Sequence, residues 1–132
     1  MIAAVLMHEA AQAQTDNQWD LCYAKSDAPA DLEPPKILIS GCTAIIQSGK
    51  RSGHDLAVAF TNRGLGHRRA FQFERAFEDF SQAIALDPTY TPAYYHRGNM
   101  YLERGEIQRA EEDFDRVARL KQREAELGVE EL

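Results

Sequence analysis

Cysteine and tryptophan are scarce in this 132-residue chain, with two and one respectively, and no uncharged apolar run reaches the 18 or so residues of a membrane span. The four histidines, His8, His54, His67 and His96, stand far apart with no second ligand at metal-binding spacing, so no metal site is expected. Gly64-x-Gly66 lacks the third glycine of a nucleotide loop and lies inside a helical pattern, and His8-Glu9 has no partner histidine at metalloprotease spacing. No nucleophile with a base and no acid pair stands out. The reading is therefore a non-enzyme, with no catalytic residues, no cofactor and no small-molecule substrate.

What is present is 44% apolar and 27% charged, enough for one core and too apolar for a disordered chain. The net charge of -6 is unevenly distributed. Residues 1–49 carry 2 basic and 6 acidic side chains, 50–75 carry 6 and 2, 76–100 carry 1 and 3, and 101–132 carry 6 and 10. A short basic stretch between acidic ends lacks the broad positive face that phosphate binding needs, so nucleic acid is not an expected partner.

Residues 1–13 combine an apolar start, Met1 to Met7, with the small-residue spacing Ala11-x-Ala13 ahead of polar Thr15-Asp16-Asn17. That pattern is compatible with a signal peptide cleaved after Ala13 and a periplasmic or secreted protein. Against it, no Lys or Arg precedes the run and the run is short; the alternative is an ordinary N-terminal helix of a cytoplasmic protein. In an exported protein Cys22 and Cys42 would most simply form a disulfide, and in a cytosolic one two buried thiols. Leu21-Cys22 lacks the small residues of a lipoprotein processing site.

Residues 57–90 laid over 91–124 without a gap give nine identities: Ala59/Ala93, Arg63/Arg97, Gly64/Gly98, Arg75/Arg109, Ala76/Ala110, Glu78/Glu112, Asp79/Asp113, Phe80/Phe114 and Leu86/Leu120. Phe60, Gly64 and His67, like Tyr94, Gly98 and Tyr101, recur at three- and four-residue steps and share one helix face. A mid-helix glycine costs about 1 kcal/mol against alanine, which points to a close helix crossing. Ala76, Phe80, Ala83 and Ile84 form a facing stripe, Leu86-Asp87-Pro88 ends that helix, and Pro92 suits the first turn of the next. The period and the pattern Phe60-x-x-Arg63-Gly64-x-x-His67, Ala76-x-x-x-Phe80, Pro88, repeated from Tyr94 through Ala110 and Phe114, resemble the tetratricopeptide repeat (TPR). Arg63 and Arg97 replace its usual leucine, His67 replaces tyrosine, Phe71 stands where the second copy has Gly105, and Gln122 replaces the terminal proline.

The resemblance implies an all-α fold: antiparallel helix pairs stacked as a short right-handed solenoid, with two repeats at 57–90 and 91–124 plus a C-terminal cap in the unit 53–132. The unit 14–52 is expected to cap the other end with one degenerate helix, opening at Pro34-Pro35, buried at Leu38, Cys42, Ile45 and Ile46, and closed by Gly49. Ser52-x-x-Asp55 reads as a capping box for the next helix. The acids Glu111, Glu112, Asp113 and Asp115 read as a solvated face, with Arg116 and Arg119 four residues beyond Glu112 and Asp115.

By resemblance the concave side is lined by the first helix of each repeat, through Thr61, Asn62, Leu65, Arg68 and Arg69, then Tyr95, His96, Asn99 and Leu102. This face is basic and aromatic, so the expected partner is an acidic peptide or a partner helix. The lysine and asparagine with which chaperone-binding members of the family hold a terminal carboxylate find only Thr61/Leu65 and Tyr95/Asn99 here, so that specificity is not implied. Three readings stay open: an exported adaptor, a cytosolic scaffold subunit, and an accessory to an envelope enzyme in which His67 or His96 would carry any chemistry.

Overall fold

The computed structural model describes residues 2–23 and 34–128, the side chains of 14–16 excepted. Six helices follow one another: α1 (Ile2–Tyr23), α2 (Pro35–Ser48), α3 (Gly53–Arg69), α4 (Phe73–Leu86), α5 (Thr91–Glu103) and α6 (Ile107–Glu126). No strand occurs among the described residues. Proline opens α2 and α5, where a missing N–H breaks no helical bond, and Gly49 ends α2 at φ 66°.

Each helix packs on the next: α1 on α2, α3 on α4, α5 on α6, with α2 on α3 and α4 on α5 joining the pairs. The backbone of α3 also approaches α1 and α5, whereas α2, α4 and α6 do not approach one another. The stack is therefore curved, with α1, α3 and α5 on the inner side.

Glycine sets the tightest crossings. A Cβ on Gly64 would stand 2.6 Å from Phe80 Cε1, and one on Gly98 2.8 Å from Phe114 Cε1. The two-residue signature thus has a direct cause: each phenylalanine lies flat on a helix stripped of its side chain. Phe80 is fully buried with Ala76 and Met100, while Ala57, Ala83 and Ala93 seal the junction between the repeats.

The N-terminal cap departs from expectation in having two helices. Residues 2–23 form one continuous helix across the candidate cleavage point after Ala13, with residues 2–13 exposed. Its last turns carry the packing. Trp19 stacks on Tyr23 with ring centroids 3.7 Å apart, Tyr23 donates its hydroxyl proton to the Asp55 carbonyl at 2.8 Å, and Arg51 lies 3.9 Å over the Trp19 ring. Cys22 and Cys42 are joined by a disulfide, with Cα atoms 4.7 Å apart, inside a cluster with Leu38, Ile45 and Ala59. The segment 24–33 lies outside the described residues.

Ser52 is an N-cap in position only. Its backbone is extended, but its side chain makes no capping hydrogen bond, so the expected box with Asp55 does not form. Asp55 instead faces Arg51 at 3.6 Å.

Candidate functional site

The inner face is built on α3 and α5, and the structure separates the nine residues expected there into three groups. Thr61 and Asn62 are buried, at 1% and 7% exposure, and are not ligand contacts. Thr61 returns its hydroxyl proton to the Ala57 carbonyl at 2.9 Å, and Asn62 donates from Nδ2 to the Cys22 carbonyl at 2.9 Å. The end of α1 covers Asn62, and Thr61 turns back onto its own helix, so neither presents its polar group to the inner face. Leu65 and His96 line the floor: Leu65 packs on the Phe80 and Met100 cluster, and His96 stacks on Phe80 with centroids 5.6 Å apart. Burial, aided by the Arg68 charge, pushes His96 down to about 4, and its Nδ1 is buried without a hydrogen-bond partner. A neutral imidazole is what this site holds at pH 7.

The exposed group is Tyr95 (49%), Leu102 (44%) and the half-buried Arg68, Arg69 and Asn99. Tyr95 stands edge-on to His96 at 5.4 Å, which fixes its ring while leaving half of it open. Arg68 is ion-paired with Glu103 across the two repeats. Arg69 makes no ion pair among the described residues. The inner face thus offers an anchored aromatic ring, a leucine and one available guanidinium, beside a second that a ligand carboxylate would have to win from Glu103.

Sequence reasoning missed the strongest electrostatic feature. Arg63 grips Asp79 through both arms, Nε to Oδ2 at 2.8 Å and a terminal nitrogen to Oδ1 at 2.7 Å, and Arg97 grips Asp113 with the same two distances. Asp79 and Asp113 are 4% and 5% exposed. The hydrogen bonds to Asp113 outweigh burial and raise Arg97 further above its ordinary value. The signal was available, since both pairs fall at the same 16-residue separation in each copy. Each arginine thus replaces the usual leucine as a polar rivet between the two helices of its repeat.

On the outer side, Ile39, Thr43, Arg63, His67, Arg75, Glu78 and Asp79 line a cleft of about 370 Å³ between α2 and the first repeat. The same place in the second repeat is filled by Phe77 and Tyr101, whose rings meet at 5.2 Å. His67 is held by Gln72 at 2.6 Å, with Asp79 3.7 Å away. Among the described residues no group of three or more His, Cys, Asp or Glu is arranged to hold a metal, and no helix is long and apolar enough to cross a membrane. Of the ion pairs expected on α6, Asp115 meets Arg119 at 4.0 Å, while Arg116 lies 5.9 Å over the Tyr94 ring.

A tetratricopeptide repeat family model matches residues 80–112. A 61-residue segment is 34% identical to mouse DnaJ homolog subfamily C member 7 and 33% identical to human tetratricopeptide repeat protein 6, covering 46% of this chain. The same length is 34% identical to serine/threonine-protein phosphatase T of Trypanosoma brucei brucei. The match spans about an eighth of those relatives, 12 or 13% of their length. Among solved structures, the second TPR of Spaghetti (RPAP3), bound to the HSP90 peptide SRMEEVD, superimposes with a TM-score of 0.65 at 25% identity, covering 85% of this chain and 98% of that one. Repeat period, glycine-on-phenylalanine crossings and structural match together give this chain the fold of a tetratricopeptide-repeat solenoid, and the family model resembles its residues 80–112.

Proposed function

We propose that this chain is a non-enzymatic interaction module that holds an acidic, partly apolar peptide or partner helix along the inner face of α3 and α5. The observation that carries this reading is Tyr95, a ring fixed against His96 on a floor of Leu65 and Phe80 yet 49% exposed. A rigid, half-open aromatic with a guanidinium beside it is the usual anatomy of an interface hot spot. That the RPAP3 repeat carries a peptide with two adjacent glutamates supports the ligand class. Peptides selected from a random display library on the full chain should be rich in Asp and Glu around an apolar residue. Reversing Arg68 and Arg69 to Glu should abolish their binding with the helical circular dichroism unchanged; retained affinity would refute the groove.

We further propose an exported, periplasmic or secreted setting, a reading supported by the Cys22–Cys42 disulfide, since such bonds persist in oxidising compartments. Intact mass of the protein from its native cell, before and after reduction and alkylation, tests it. A start near Gln14 with both thiols blocked until reduction is the expected result. A chain retaining residues 1–13 with two freely alkylated thiols would return it to the cytosol as a scaffold subunit.

A further inference from the structure

The two repeats differ on their outer side, and the second shows what the first lacks. Helices α2 and α4 are each 14 residues long, and the helix that follows fixes their correspondence: a terminal nitrogen of Arg63 donates to Thr43 Oγ1 at 3.4 Å, and that of Arg97 to Ser81 Oγ at 3.5 Å. Thr43 therefore stands where Ser81 stands, and Ile39, one turn earlier, takes the place of Phe77. In the second repeat the Phe77 ring meets Tyr101 at 5.2 Å and Arg104 lies 4.8 Å over it. Arg109 is held by Glu106 at 2.7 Å, with its guanidinium 5.8 Å over the Tyr101 ring. In the first repeat Ile39, His67, Ala70 and Gln72 replace Phe77, Tyr101, Arg104 and Glu106. A phenyl ring, a phenol and a carboxylate are gone together.

What these replacements leave is the cleft of about 370 Å³ between α2 and the first repeat, within the range of small-ligand sites, which begins at about 300 Å³. Its back wall is polar and buried, the His67 and Asp79 side chains being 8% and 6% exposed. Both oxygens of Asp79 are taken by Arg63. His67 is held through Nδ1 by Gln72, and its Nε2, 3.7 Å from Asp79, has no hydrogen-bond partner among the described residues. Arg75 and Glu78 line the cleft from α4, are exposed, and make no ion pair among the described residues, either with each other or with a third group. Arg75 has lost what holds its counterpart Arg109, because Gln72 has no charge and His67 is smaller than tyrosine. The cleft thus combines the space of a missing ring with one unengaged guanidinium and one unengaged carboxylate. A molecule carrying a ring, a carboxylate and an ammonium group answers all three.

We propose that this cleft binds a free aromatic amino acid, with its ring against His67 in the space that Phe77 and Tyr101 fill in the second repeat, its carboxylate on Arg75 and its ammonium group on Glu78. The site shares no residue with the inner face and does not depend on the peptide reading above. Titration of the isotope-labelled full chain with L-phenylalanine should give saturable amide shifts at Ile39, Thr43, His67 and Arg75. N-acetylphenylalanine amide keeps the ring and loses both charges, leucine keeps both charges and loses the ring, and each should bind at least tenfold more weakly. Arg75→Gln and Glu78→Gln, both at exposed side chains, should each weaken phenylalanine at least tenfold with the melting temperature of the free protein unchanged. Ile39→Phe, which restores the ring of the second repeat, should remove binding. No saturable binding at millimolar phenylalanine, or unchanged affinity in Arg75→Gln, would overturn the proposal. So would N-acetylphenylalanine amide binding as tightly as phenylalanine, which would give the cleft to an aromatic side chain of a partner protein, and so would leucine binding as tightly, which would leave the ring without a role.

Discussion

Cutting one partner out of the Arg97–Asp113 grip should cost far more than cutting out both. The side chains are 20% and 7% exposed and joined by two bonds of 2.7 and 2.8 Å, so Asp113→Ala strands a guanidinium whose third contact is the Ser81 hydroxyl at 3.5 Å. Removing one member of a buried pair costs about 3–5 kcal/mol, and the residual exposure of Arg97 argues for the lower end, about 3 kcal/mol. In a domain of this size that is a large share of the total stability, about 5–15 kcal/mol, and corresponds to roughly 10–15 °C in melting temperature. Arg97→Leu should cost a similar amount, leaving a carboxylate that is 5% exposed without its partner. Arg97→Leu with Asp113→Leu exchanges the pair for apolar contact and should recover most of the loss, ending within about 1 kcal/mol of the parent. Urea denaturation of the four proteins closes the cycle. Single variants within about 1 kcal/mol of the parent, or a double variant that loses the sum of the two, would refute the picture of a desolvated rivet.

Three further predictions follow from the packing and the titrating groups. Gly98→Ala gains about 1 kcal/mol of helix propensity but drives a methyl to 2.8 Å from Phe114, and thermal melting should show a net loss of about 1–3 kcal/mol; a stabilised variant would mean that the crossing is loose. Reducing Cys22–Cys42, which closes a loop across a sequence separation of 20, should cost about 3 kcal/mol, and hydrogen exchange should localise the loosening to α1 and α2; protection lost first in α5 and α6 would contradict it. Burial, with Arg68, holds His96 at about 4 in the fold against about 6.5 when unfolded, so its contribution is complete above pH 6.5 and fades as the pH falls toward 4. Urea midpoints should therefore indicate about 2 kcal/mol less stability at pH 4.5 than at 7.5, and His96→Phe should flatten that slope; an unchanged slope in the variant would assign it elsewhere. Asp87 works in the same sense at lower pH, since burial would raise its carboxyl but hydrogen bonds from Thr89 and His54 outweigh that and hold it low.

The repeat itself was legible because its signals are local. Gly64 and Gly98 announce a close crossing, and Phe80 and Phe114, each 16 residues on, are the side chains that fill it. The α2 boundaries followed from Pro35 and Gly49 for the same reason. What escaped depends on contacts between distant residues. Asn62 looked like a groove residue until its bond to the Cys22 carbonyl, 40 positions away, placed it under α1. The first helix was obscured because residues 2–13 are exposed, and its packing is reported near its end, by Trp19, Cys22 and Tyr23 in the core cluster and by Leu21 against Gly41. Arg63 and Arg97 registered as departures from the family's leucine, although Asp79 and Asp113 repeat with them and make each arginine half of a pair. Ser52 showed the reverse, a capping pattern in sequence that the side chain does not honour.

Backbone amide chemical-shift mapping tests the central claim most directly, using the isotope-labelled full chain titrated with an acidic peptide selected by display. The account predicts shifts concentrated on the inner face, at Leu65, Arg69, Tyr95, Asn99 and Leu102, and abolished by Tyr95→Ala. Shifts confined to α4 and α6, or a map unchanged in Tyr95→Ala, would contradict it.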